Sequence, residues 1–175
     1  VKINAGLWAD EVRVTTGQNQ VQYQQGTANK LQQTPTTGVS LDVAALGGMY
    51  ANRIILVGTK DGVGVNNAGN IAAQQELTIT QEGKLILQGN THSAGKITLQ
   101  SAQDIENQGD TVAQGALQIK SGTHLKQTGN IYSGAKAELY GQEKITNSGK
   151  IISETTLAVQ AKETLNEQGL LYAKE

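Results

Sequence analysis

The chain has 175 residues, a formal net charge of −1 and an apolar content of 37%, with 21 Gly and neither Phe nor Cys. That length allows one domain or one continuous array, and the balanced charge gives no electrostatic footprint for nucleic acid or an anionic lipid surface. The lack of cysteine excludes disulfides, thiolate catalysis and thiolate metal sites, and no apolar run reaches membrane-spanning length. Low hydrophobicity can signal disorder, but here no charge repulsion holds the chain open and the apolar residues are periodic, so a folded body is expected. Val1 opens directly into VKINAGLWADEV without a leader-like stretch, as in a piece of something larger.

In chain order, VRVTT (12–16), VSLDV (39–43) and RIILVGT (53–59) alternate apolar and polar residues, the period of strands with one face inside. Trp8 and Tyr50 are expected to pack as cap or core rather than to stack on a ligand. The single proline is Pro35, in QQTPTT. The step from Leu56 to Val65 is three residues longer than that from Ile79 to Leu85, so GTKDGVG (58–64) is expected to bulge out of an otherwise preserved winding.

From there the chain repeats. Gly69, Gly89, Gly109, Gly129, Gly149 and Gly169 are spaced by twenty residues without insertion or deletion, the signature of a solenoid. Within each unit three short zones alternate with period two. Aliphatic residues recur at Leu77, Ile97, Leu117 and Leu157, interrupted by Ala137, and again at Leu85, Ile105, Leu125, Ile145 and Leu165. Small residues recur at Ala73, Ser93, Ala113, Ser133, Ser153 and Ala173. No zone has the 3.6 period of a helix, which argues against leucine-rich, ankyrin and tetratricopeptide arrays. The expected fold is all-β: a parallel β-helix of about twenty residues per coil with three short strands each. About nine coils at roughly 4.8 Å would span near 40 Å. Asn67, Asn107 and Asn147, two residues before the glycines, read as turn residues that hydrogen-bond to their copies, and Asn and Gly both suit left-handed backbone there.

Chemistry is hard to place on such a pattern. A β-helix lyase or glycosidase needs clustered carboxylates on one face, whereas Glu82, Lys84, Asp104, His124, Glu143, Lys144, Lys162 and Glu163 form a mixed-sign stripe expected to be a solvated rim. His92 and His124 fall at different points of the unit and cannot share a metal; no phosphate loop, dinucleotide fingerprint or nucleophile elbow occurs, and no cofactor is expected. The inward serines fill space. The outward feature that stands apart is the third position of each unit, Ala72, His92, Val112, Tyr132, Ile152 and Tyr172, a partly apolar strip of the kind that can form a contact surface.

The run SLDVAALGGMYANRIILVGTKDGVGVNNAGNI, Ser40 to Ile71, resembles the junction in filamentous-haemagglutinin-type exoproteins of two-partner secretion, where the secretion domain passes into the haemagglutinin repeats. INAGLWADEVRVTTGQNQV, Ile3 to Val21, is similar to the segment ahead of that junction, and the downstream units resemble the family's repeats. The resemblance implies a right-handed parallel β-helix in which 1–50 closes a secretion-domain-like part and 51–175 forms regular repeats continuous with it. It also implies a non-enzymatic shaft of a large adhesin, haemolysin or contact-dependent growth inhibition protein. Such a parent is exported through an outer-membrane transporter, secreted or displayed on the bacterial surface, and directed at a receptor or glycan of a host or neighbouring cell, without nucleic acid binding or membrane insertion. Absent cysteine then fits passage of an unfolded chain through a pore. The Asn-Pro-Asn motifs tied to transporter recognition are missing, so the sequence is expected to start after the core of the secretion signal.

Overall fold

The computed structural model describes residues 1–22, 27–31 and 38–174, and these form strands and turns with no helix. Pro35 lies outside the described residues. The early windings use β1 (Lys2–Ile3), β2 (Gly6–Thr16), β3 (Asn19–Gln22), β4 (Thr27–Lys30), β5 (Val39–Val43), β6 (Gly48–Gly58), β7 (Val63–Asn67), β8 (Asn70–Gln81) and β9 (Lys84–Leu87). Triplets follow: β10 (Asn90–Ser93), β11 (Lys96–Ser101) and β12 (Ile105–Asn107), then β13 (Asp110–Ala113), β14 (Leu117–Ser121) and β15 (His124–Gln127). The last two are β16 (Asn130–Ser133), β17 (Ala137–Gly141) and β18 (Lys144–Asn147), then β19 (Lys150–Ser153), β20 (Leu157–Gln160) and β21 (Glu163–Asn166), after which β22 (Leu170–Ala173) opens another winding.

These strands stack as a parallel β-solenoid with three faces. The first face runs from the leading halves of β2, β6 and β8 through β10, β13, β16, β19 and β22; the second runs from their trailing halves through β11, β14, β17 and β20. The third is the eight-stranded sheet β1-β5-β7-β9-β12-β15-β18-β21. Seven windings are complete, not nine. The shortfall comes from the segment between β2 and β5, which spends its residues on an antiparallel hairpin, β3 against β4, inserted in the first winding. Seven windings at roughly 4.8 Å give an axial rise of about 34 Å.

The period-two pattern explains each face. Along β8, Ile71, Ala73, Leu77, Ile79 and Gln81 are buried, and the alternation breaks only at the exposed pair Gln74–Gln75, where the strand turns from first face to second. From β10 onward that corner is sharper. A Cβ on Gly95 would lie 1.8 Å from the Gln75 carbonyl oxygen of the winding below, so glycine is needed there for the chain to bend so close.

Like residues pile on like. Leu77, Ile97, Leu117, Ala137 and Leu157 are register partners in turn, and the first four are buried. Each buried aliphatic side chain contributes about 1.5–3 kcal/mol, but a winding gains this only when a neighbour closes its core, so stability accrues along the stack. The bulge at GTKDGVG is present: pairing of β7 with β9 slips between Val63 and Val65, and Gly62 has φ +92°.

Two expectations require correction. The twenty-spaced glycines do not adopt left-handed backbone; among described glycines only Gly17, Gly38 and Gly62 have positive φ. Their reason is contact. A Cβ on Gly89, Gly109, Gly129 or Gly149 would sit 2.1, 2.2, 2.1 or 2.0 Å from the carbonyl oxygen of the glycine one winding back. The second concerns the last winding, where Thr164 pairs with Ile145 and Leu165 with Thr146, leaving Leu165 exposed. One residue is lost at the corner before β21 and regained before Gly169, where Gln168 takes φ +58°, the single positive φ among described non-glycine residues.

The Asn residues before the glycines, Asn67, Asn107 and Asn147, are buried. Asn107 donates to Gln127 Oε1 (2.8 Å) and accepts from Thr111 Oγ1 (2.9 Å), while Asn147 donates to Asn166 Oδ1 (2.7 Å) and accepts from the Gly149 amide (3.2 Å). The inner ladder thus satisfies polar groups that burial would otherwise penalise.

Candidate interaction surface

The outward strip is one continuous row. Ala72, His92, Val112, Tyr132, Ile152 and Tyr172 are successive register partners on the first face. The row extends upstream: Trp8 pairs with Tyr50, and Tyr50 with Ala72. Trp8 is therefore not a core or cap residue. It is 73% exposed and stacks on Tyr50 with ring centroids 5.3 Å apart and planes 12° from parallel. The members between the two ends are half-buried, because each side chain is flanked by its register partners in the windings above and below it.

Two residues earlier on these strands runs a row that is polar from Asn70 through Asn90, Asp110 and Asn130 to Lys150 and continues with Leu170. Its amides bridge windings: Asn90 donates to Asn70 Oδ1 at 2.9 Å and Asn130 to Asp110 Oδ1 at 2.7 Å. The first face thus presents an apolar row with a polar rail beside it.

The charged residues that form ion pairs between windings lie elsewhere. At the edge of the second face Glu11, Arg53, Glu76 and Lys96 alternate in sign from winding to winding, with contacts of 3.6, 3.7 and 3.0 Å. The hydrogen bond from Lys96 is the main cause that holds the Glu76 carboxyl below the usual range. On the third face Lys84 meets Glu106 (2.6 Å), Lys144 meets Glu163 (2.8 Å) and, at the adjoining corner, Lys162 meets Glu143 (2.8 Å). Partial burial opposes ionisation of Asp104, but hydrogen bonds from Thr123 and from the His124 ring and amide outweigh it and keep its pKa low. These are paired rungs of a ladder, and among the described residues no three His, Asp or Glu side chains converge as a metal-binding group.

His92 sits on the first face and His124 on the third. Ser93, Ser133 and Ser153 are fully buried; the Ser133 hydroxyl donates to the Gly115 carbonyl (3.0 Å) and that of Ser153 to the Ala135 carbonyl (2.6 Å), so these two brace corners between windings, while Ser93 accepts from the Gly95 amide (3.1 Å) at its own corner. Sequence reasoning missed Trp8 and Tyr50 as members of the row, since the spacing there is forty-two and twenty-two residues instead of twenty. The available signal was an aromatic residue two places after a glycine in both GLW and GMY.

An unbroken parallel β-solenoid with an aliphatic and amide interior and paired exterior charges is a repeat shaft. The chain belongs to the haemagglutinin repeat family, whose model matches residues 14–90, 86–135 and 129–175. It is 44% identical over 109 residues to a protein named Toxin CdiA of Yersinia pestis, covering 61% of this chain. It is 46% identical over 96 residues to tRNA nuclease CdiA-2 of Burkholderia pseudomallei, covering 54% of the chain, and 42% identical over 103 residues to 16S rRNA endonuclease CdiA of Enterobacter cloacae, covering 58%. In each case the matched stretch is 3% of the relative's length. No solved structure matches the chain significantly.

Proposed function

We propose that this chain is a structural and adhesive shaft segment of a large bacterial exoprotein, secreted or displayed on the outer cell surface, and that it works by length and stiffness rather than turnover. The observation that supports this most directly is the continuous stacking of strands from β2 to β22, interrupted only by local register shifts. Every winding is held to the next by a full parallel ladder, so the segment resists bending and can pass load or position along its axis. On this reading residues 1–50 close a secretion-domain-like part, 51–175 are shaft repeats, and the parent travels through an outer-membrane transporter toward a receptor or glycan on a host or neighbouring cell. The specific reading as the stalk of a contact-dependent toxin-delivery protein is favoured by the names of the relatives, of which CdiA is common to all three.

Deleting Asn90 to Gly109 removes one winding in register. We expect the shortened chain to keep its β circular dichroism and cooperative melting, with solution scattering showing a body shorter by about 4.8 Å. Deleting ten residues instead, Asn90 to Leu99, breaks every column downstream and should unfold that part. Equal damage from both deletions counts against a modular shaft. For the parent, protease release of this segment from intact bacteria tests surface display.

A further inference from the structure

We propose that the first face is a self-association surface, on which a second copy of the chain lies with its long axis reversed, about a twofold axis running along β16. The rows on this face are straight because every winding is in register, and flat sheets pack face to face at roughly 10 Å. Reversing the axis keeps the strand direction and inverts the order of windings, so each row meets its own copy. In the polar row the only charges are Asp110 and Lys150, both exposed, one winding to either side of Asn130. The twofold at β16 therefore sets Asp110 of each copy against Lys150 of the other. In the apolar row it sets Val112 against Ile152 and Tyr132 against itself.

The charges select this arrangement against its neighbours. A twofold along β13 places Asp110 on Asp110, one along β19 places Lys150 on Lys150, and a parallel pair with windings level holds like charges at the same height. Such juxtapositions disfavour wrong registers even where each attractive pair is weak. Within the 175-residue chain five windings overlap, a patch of roughly 24 by 13 Å, or about 300 Å² on each copy. That is well below what a permanent dimer needs, so the pairing is transient and concentration-dependent.

Sedimentation equilibrium of the 175-residue chain at low ionic strength, over a wide concentration range, tests the idea. We expect a monomer–dimer equilibrium that Asp110→Lys and Lys150→Asp each weaken at least about tenfold. An equimolar mixture of the two variants should regain the wild-type constant, because only the mixed pair has both contacts attractive. The chain contains no cysteine, which allows a second readout. Val112→Cys should cross-link to Ile152→Cys when the two are mixed, and neither should cross-link to itself. A chain that stays monomeric throughout, a dimer indifferent to both charge substitutions, or self-cross-linking of Val112→Cys overturns the proposal.

Discussion

Ile145 lies in register with Thr164, nineteen residues on, although the repeat spacing of twenty would bring it to Leu165. In this winding the inner column of the third face therefore carries a hydroxyl, and the leucine that the spacing assigns to it is turned outward at 37% exposure. Gln168, with φ +58°, absorbs the compensating residue.

That local slip makes a stability prediction. Leu165→Ala should cost less than about 1 kcal/mol, as for a surface change, whereas Ile145→Ala, which empties a fully buried position, should cost about 2–5 kcal/mol. Urea unfolding of both variants distinguishes the observed register from the twenty-residue one, in which the two costs would be comparable.

The glycine column yields a contrast between two positions. Gly109→Ala drives a Cβ to 2.2 Å from the Gly89 carbonyl oxygen, so two windings must part; we expect a loss of about 1–3 kcal/mol or more. At Gly115 the nearest atoms are 3.0 Å away, and alanine there should cost clearly less. Thermal melts of the two variants give the ranking.

The inner amide ladder should behave unlike the outer one. Asn107→Ala leaves Gln127 Oε1 without its donor and the Thr111 hydroxyl without its acceptor in a dry interior, at a cost of about 1–3 kcal/mol. Asn130→Ala removes only a solvent-exposed bond to Asp110 and should fall within about 0.5 kcal/mol of wild type. Similar losses from both, measured in denaturant, would place the amide ladder outside the stabilising interior.

Acid should loosen the charged edges. The folded-state pKa values of Glu76 and Asp104 are lowered, so their contribution is complete above the unfolded carboxylate range, about pH 4, and is lost as pH falls through the lowered folded values. Asp104 is over a third exposed and solvent screens its share, so the effect is small. Stability measured from pH 7 to pH 2 should decline at the acid end, and Glu76→Gln should flatten that decline; an unchanged slope in the variant would assign the acid sensitivity to other groups.

The sequence by itself determined the solenoid. Period-two zones of Leu, Ile and Ala recurring every twenty residues can bury their apolar side only by stacking, so columns such as Leu77, Ile97 and Leu117 follow from spacing alone. The outward row from Ala72 to Tyr172 was legible for the same reason, because alternation assigns every second side chain to the outside. Only the tertiary structure decided what breaks the count. It made Trp8 and Tyr50 neighbours across an inserted hairpin, and gave the columnar glycines a reason in backbone contact between windings. It also turned Leu165 outward while burying Asn107 and Asn147. Register is set by hydrogen bonds to the adjacent winding and by the room left at its corners, and that information lies between segments of chain rather than within any one of them.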